Sequence, residues 1–179
     1  MKKILFSIAF VGIAWACSTS PEHSIQPLIE GAVMGALDKP STYQPIQTEI
    51  DSAFSPQDDA DLFRLLSEIT DLNQELSLTI GKGSVVLTGD VKEKIKDKTE
   101  KVADILQRKK TFVGYKVTHT FTAENNLGEN VKESNVYLVN KDASKILFSM
   151  TPEDYAQLQQ AIVALQEKFQ KRLDKPEEQ

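Results

Sequence analysis

Near residue 112 the hydrophobic period of this chain changes from 3.6 to 2, and that change narrows the fold more than any other feature. Val113, Tyr115, Val117, His119 and Phe121 alternate with Lys116, Thr118, Thr120 and Thr122, the pattern of a strand with one face turned to a core. "ENNLGE" then supplies a turn, since Asn and Gly tolerate positive φ. A return strand is expected through "VKESNVYLV", a second turn at "NKD" and a further strand at "SKILF". Strands joined by such short turns pair antiparallel.

The flanks of this block carry helical stripes. Ile25, Leu28, Ile29, Ala32, Val33, Ala36 and Leu37 recur at 3–4 spacing, with Ser24 placed to cap. Gly31 and Gly35 form a G-x-x-x-G pair in a segment too polar and short for a membrane dimer, which predicts close packing on the sheet. Lys39-Pro40 ends the helix, and "DKPSTYQPIQTEI" runs extended. Pro45 confines any strand here to an edge, or to a start after it. Ser55 and Pro56 read as N-cap and first helical residue of a second helix, whose stripe is Leu62, Leu65, Leu66, Ile69, Leu72 and Leu76. "GKGS" lacks the earlier glycine of a phosphate loop and reads as a flexible turn. "SLTI" and "SVVLT" around it have a second reading as a small β-hairpin. Asp90-x-x-Glu93 marks the start of a third helix, with Val91, Ile95, Val102, Ile105 and Leu106 as its stripe. Asp90–Lys94 and Asp97–Lys101 are expected as i,i+4 pairs on a solvated face. Thr151-Pro152 starts the last helix, which carries Tyr155, Leu158, Ile162, Leu165 and Phe169. Residues 174–179, "DKPEEQ", read as a disordered tail.

The expected architecture is one α+β domain over residues 25–173. A small antiparallel sheet packs with helices, and a helical hairpin is inserted between the first and second strands.

The N-terminus predicts an address. Lys2 and Lys3 precede an apolar run from Ile4 to Trp15, followed by Ala16 and the single cysteine, Cys17. A bilayer span needs about 20 apolar residues, so residues 1–16 read as a signal peptide. Ala14-Trp15-Ala16-Cys17 resembles a loose bacterial lipobox, and Cys17 is the predicted lipid-attachment residue. Two or three acyl chains would anchor the protein stably, where one would not. Residues 17–24 then form the lipidated cysteine and a tether too short to carry the domain far from the bilayer. Losing Lys2 and Lys3 lowers the net charge by two, from −5 to −7. Such an acidic chain is unsuited to nucleic acid.

His119 is the one candidate for chemistry. A histidine on an apolar strand face is more often a core residue with both nitrogens hydrogen-bonded than a base or ligand. The sequence carries no nucleophile elbow. Zinc needs three or four ligands, and beyond Cys17 the only other soft ligand is His23 in the tether. The expectation is a protein without enzymatic activity, cofactor or metal. His119, Asn125 and Asn126 are its candidate partner-binding residues. The rival expectation is an envelope hydrolase or enzyme inhibitor with a cleft near His119.

Two short runs carry a resemblance. "KPSTYQP" and "FVGYKVTHTFTAENNLG" are similar to runs in small lipoproteins and secreted proteins of Bacteroidota-type bacteria. The matching residues are Pro40, Ser41 or Thr42, Tyr43, Gly114, Tyr115, His119, Phe121, Ala123, Asn125 and Gly128. Thr122 and Glu124 replace basic residues of that pattern, so an anionic ligand is not implied. The resemblance brings no activity with it. Apart from it, the expected function is a non-catalytic, membrane-tethered module that binds or spaces another envelope component, with the bilayer (through acylated Cys17) and an unknown envelope protein as partners. Because "CSTSPEHS" has only Glu22 as an acid, the expected location is the periplasmic face of the outer membrane.

Overall fold

Strand β2 (Thr111–Glu124) organises the molecule, because it pairs on both sides along most of its length. The structure, a computed structural model, describes residues 21–81 and 85–173. The elements follow as α1 (Pro21–Ala36), a short 3₁₀ turn (Pro40–Thr42), β1 (Gln44–Ser55), α2 (Ala60–Gly81), α3 (Val85–Leu106), β2, β3 (Asn130–Asn140), β4 (Ile146–Met150) and α4 (Pro152–Leu173). The sheet is antiparallel in the order β1-β2-β3-β4. The fold is therefore α+β, with a four-stranded antiparallel sheet and four α-helices among the described residues. The proposed signal peptide, Cys17 and the tail from 174 lie outside the described residues.

Each face of the sheet has its own core. On one face Ile25, Ile29 and Val33 of α1 meet Val117, Phe121 and Ala123 of β2 and Tyr137 and Val139 of β3. On the other, Leu62, Phe63 and Leu65 of α2, Val102, Ile105 and Leu106 of α3 and Ile162 of α4 gather around Leu138. Val136, Tyr137, Leu138 and Val139 are consequently all buried, because helices cover this stretch of β3 on both sides. The stripe of α4 packs as its spacing predicts. Thr151 caps it, its Oγ1 accepting from Asp154 N at 3.1 Å and donating to Asp154 Oδ2 at 2.8 Å. Pro45 lies on edge strand β1, beside a register shift between Pro45 and Gln47.

Five expectations need correction. Val113 does not share the face of Val117: the register shifts between Ala53 and Phe54, opposite Gly114, whose φ is +147°. Instead Phe112 meets the ring of Tyr115 edge-on at 5.4 Å. A Cβ at position 114 would collide with the Val139 carbonyl oxygen, so only glycine fits this kink.

Ser55 closes β1 and does not cap α2. Asp59 caps it, Oδ1 accepting from Asp61 N at 3.0 Å and Leu62 N at 3.4 Å. The Ser55 hydroxyl donates to Asp59 Oδ2 at 2.8 Å, so the serine supports the cap from one step away. α3 begins at Val85, five residues before Asp90, and "SLTI" is helical. The β-hairpin reading fails because the two helices continue to extend beside each other. Lys82–Ser84, the core of the expected flexible turn, lie outside the described residues. Pro21–Ser24 belong to α1, so the last four tether residues are helix. Gly31 and Gly35 are exposed with open space where a Cβ would stand; they do not bring α1 closer to the sheet.

Candidate functional site

His119 sits where β1, β2 and α1 meet. It pairs in register with Thr48 of β1, so the threonine side chain rises beside the imidazole. Thr48 Oγ1 bonds Nδ1 at 2.8 Å, and the Tyr43 hydroxyl bonds Nε2 at 2.8 Å. Phe121 stacks on the ring at 5.7 Å. The histidine is 0% exposed, so no ligand atom reaches either nitrogen. Burial lowers its pKa, and the Glu30 carboxylate opposes the shift more weakly. At neutral pH the ring is therefore uncharged, with one nitrogen donating and the other accepting. The Tyr43 phenol is pushed up, by burial first and then by Glu30, and it stays protonated.

The two resembling runs are thus neighbours in space. Tyr43 also packs against Phe121 with centroids 5.6 Å apart, and Thr42 Oγ1 accepts from Glu124 N at 3.0 Å. These contacts tie the segment after α1 to the end of β2.

Asn125 organises the β2–β3 turn. Its Oδ1 accepts from Leu127 N and Glu129 N, each at 2.9 Å, and its Nδ2 donates to Glu129 Oε2 at 2.9 Å. Gly128 completes the turn at φ +82°. The Asn125 side chain is therefore committed to its own turn. Asn126 is exposed and stands at the edge of a groove of about 860 Å³.

That groove is the main concave feature near the predicted residues. α1 covers the second half of β3, where Tyr137 and Val139 are buried, and leaves Glu133 on the same face exposed. Val33, Phe121, Ala123 and Tyr137 form an apolar floor, while Asp38, Glu124, Glu133 and Asp154 bring four carboxylates to its walls. Among the described residues no lysine or arginine lines it; Lys39 reaches Glu124 from outside at 3.1 Å. Tyr137 hydrogen-bonds Asn135, and burial raises its phenol pKa, partly offset by that bond. The arrangement offers protonated hydroxyls, amides and carboxylates over an apolar floor. It suits a ligand that donates hydrogen bonds or carries positive charge.

His119 does not line this groove; its neighbour Phe121 does. Of the three candidate residues the structure brings Asn125 and Asn126 to the groove and buries His119 away from its lining. Glu133, Asn135, Asp38 and Asp154 were not among them. One signal for Glu133 and Asn135 was present: they alternate with Val131 and Tyr137 on the α1 face of β3, where polar residues mark an uncovered stretch. Among the described residues no group of three or more His, Cys, Asp or Glu side chains is placed to hold a metal ion. No described helix is long and apolar enough to cross a membrane. No protein-family model matches the chain, and no curated protein or solved structure matches it.

Proposed function

We propose that this chain is a lipid-anchored, non-catalytic binding module of a bacterial cell envelope, held through Cys17 and using the acidic groove to engage another envelope component. The observation that carries this reading is the division of labour on the α1 face. The histidine best suited to chemistry is enclosed with both nitrogens engaged, while the open surface beside it presents amides and carboxylates. The leader supports the anchor, since a charged start, a short apolar run and small residues precede the single cysteine. The similarity to small Bacteroidota-type lipoproteins agrees with it. The location proposed is the periplasmic face of the outer membrane.

The same reading treats α2 and α3 as a helical hairpin inserted into the β1–β2 connection. Two observations support it. β1 and β2 pair along most of their length although α2 and α3 separate them in sequence. Among the described residues, the α1-side core draws none from either helix.

Labelled fatty acid and an affinity pull-down from detergent-solubilised envelopes test the proposal. Wild-type protein should take up the label and partition with membranes, and Cys17→Ala should do neither. A captured partner should be lost with Glu133→Lys and kept with His119→Gln. Membrane partitioning unchanged in Cys17→Ala would overturn the anchor. A folded His119→Gln protein that lost its partner or an assayable activity would move the function to the histidine.

A further inference from the structure

This acidic chain gathers five of its cations at one end of the sheet. Arg108, Lys109 and Lys110 form the α3–β2 connection, and Lys141 and Lys145 flank the β3–β4 turn; all five are exposed. The antiparallel register sets these loops side by side, because Gly114, near the start of β2, pairs with Asn140. Arg108, Lys141 and Lys145 line one shallow cavity of about 410 Å³. Among the described residues, none of the five makes an ion pair. The nearby Asp58 and Asp59 are engaged: Asp58 accepts from Phe54 N and the Tyr155 hydroxyl, and Asp59 caps α2. Asp61, which also lines the cavity, pairs with Arg64 at 2.7 Å; Asp142 in the turn and Asp104 at the end of α3 are further acids nearby.

The course of α1 relates this basic end to the anchor. Ala36, Leu37 and Asp38 wall the groove together with Ala123, Glu124 and Asn125, so α1 finishes at the opposite, acidic end of β2. Its 16 residues span roughly 22 Å at the helical rise. With its last turn at the acidic end, the helix starts away from that end, and Ile25 at its start belongs to the core cluster that also reaches Ala143 of the β3–β4 turn. Cys17 precedes Pro21 by four residues, at most about 14 Å of chain.

We infer that the basic end is a second membrane contact, lying against anionic phospholipid headgroups of the bilayer that holds Cys17. This rests on the lipid-anchor reading for the position of the bilayer. It gives that reading an orientation: the five cations face the lipid and the acidic groove faces away, toward a partner. The net negative charge of the whole chain opposes adsorption in any other orientation. Each cation near an anionic surface strengthens binding by roughly fivefold, and salt weakens the effect as it shortens the Debye length.

Lysine acetylation read by mass spectrometry tests this on the acylated protein. It is bound to phosphatidylcholine vesicles or to vesicles enriched in phosphatidylglycerol. Lys109, Lys110, Lys141 and Lys145 should be protected several-fold on the anionic vesicles only and regain reactivity at high salt. Lys132, paired with Thr122 at the other end of the sheet, should react equally on both. Lys109→Glu with Lys141→Glu should abolish the preference for anionic vesicles while leaving binding to phosphatidylcholine intact. Equal labelling of the four lysines on both vesicle types overturns the inference. Failure of the wild-type protein to bind phosphatidylcholine would instead overturn the anchor, and the anionic footprint would still decide the basic end.

Discussion

At neutral pH His119 is an uncharged hydrogen-bonding bridge between Tyr43 and Thr48, and that state has a consequence for acid stability. Its pKa is lowered by burial from the ordinary value near 6.5, so below that value the unfolded chain takes up a proton that the folded one resists. The histidine's contribution to stability is complete above about pH 6.5 and is lost as pH falls through its folded pKa. Melting temperature should drop between neutral pH and pH 5, and the drop should be smaller in His119→Gln. Parallel curves for the two proteins would show that the ring titrates freely. Phe121, 2% exposed and stacked on the imidazole, should cost ~3–5 kcal/mol on truncation to Ala, through the cavity left behind. Gly114→Ala should cost about 3 kcal/mol or more, because strained φ and a backbone collision act together. Chemical denaturation of both variants checks these values. The position of His119 on an apolar face was legible from alternation alone. Thr48 as its partner was not, because register across 71 residues is decided by how two strands meet.

Among the elements, α2 shows how a helix start is chosen. Two signals compete: Ser55-Pro56 has good cap chemistry, and Asp59 follows four residues later. Ser55 pairs with Thr111 in the sheet, and the extended backbone this requires leaves Asp59 to cap. Asp59→Ala should destabilise by about 2 kcal/mol or more, since a cap is lost and the buried Ser55 hydroxyl loses its acceptor. A loss below about 0.5 kcal/mol would mean the helix start is held by packing alone. The α2–α3 pair has a graded core. Near the sheet Leu62, Phe63 and Leu65 join the helices to β3 and α4; farther out, burial falls to Thr79 and Val91, and Leu78 and Ile80 are exposed. Amide hydrogen exchange should therefore be faster at 72–81 than at 113–121. Equal protection would place a further contact on the outer half of the pair.

For the molecule as a whole, β3 joins the two cores through adjacent residues. Leu138 belongs to the α2–α3–α4 side and Val139 to the α1 side. Neither core can open without disturbing the strand they share. Unfolding followed by tyrosine fluorescence and by far-ultraviolet circular dichroism should give coincident transitions. Leu138→Ala and Val139→Ala should shift both probes together, the leucine by ~2–5 kcal/mol. Separate transitions would show that the α1 face and the three-helix face fold independently. The charge distribution also exists only at this scale. Arg108–Lys110 and Lys141–Lys145 are two unremarkable runs until antiparallel pairing sets them together.

Local pattern was sufficient wherever a segment's own neighbours decide its state. Period-2 alternation announced β2, Asn and Gly announced the turn at 125–128, and Thr151-Pro152 announced the start of α4. Those features depend on backbone preferences and on side chains within about four residues. The start of α3 at Val85, the exposure of Gly31 and Gly35, the kink at Gly114 and the groove depended on contacts between distant segments. A helix pair extends because two helices lie together, and a groove opens because α1 covers Tyr137 and Val139 but leaves Glu133 and Asn135 of the same strand less covered. Hydrophobic periodicity says which face of an element seeks cover. Only the packed arrangement decides how much of that face receives it.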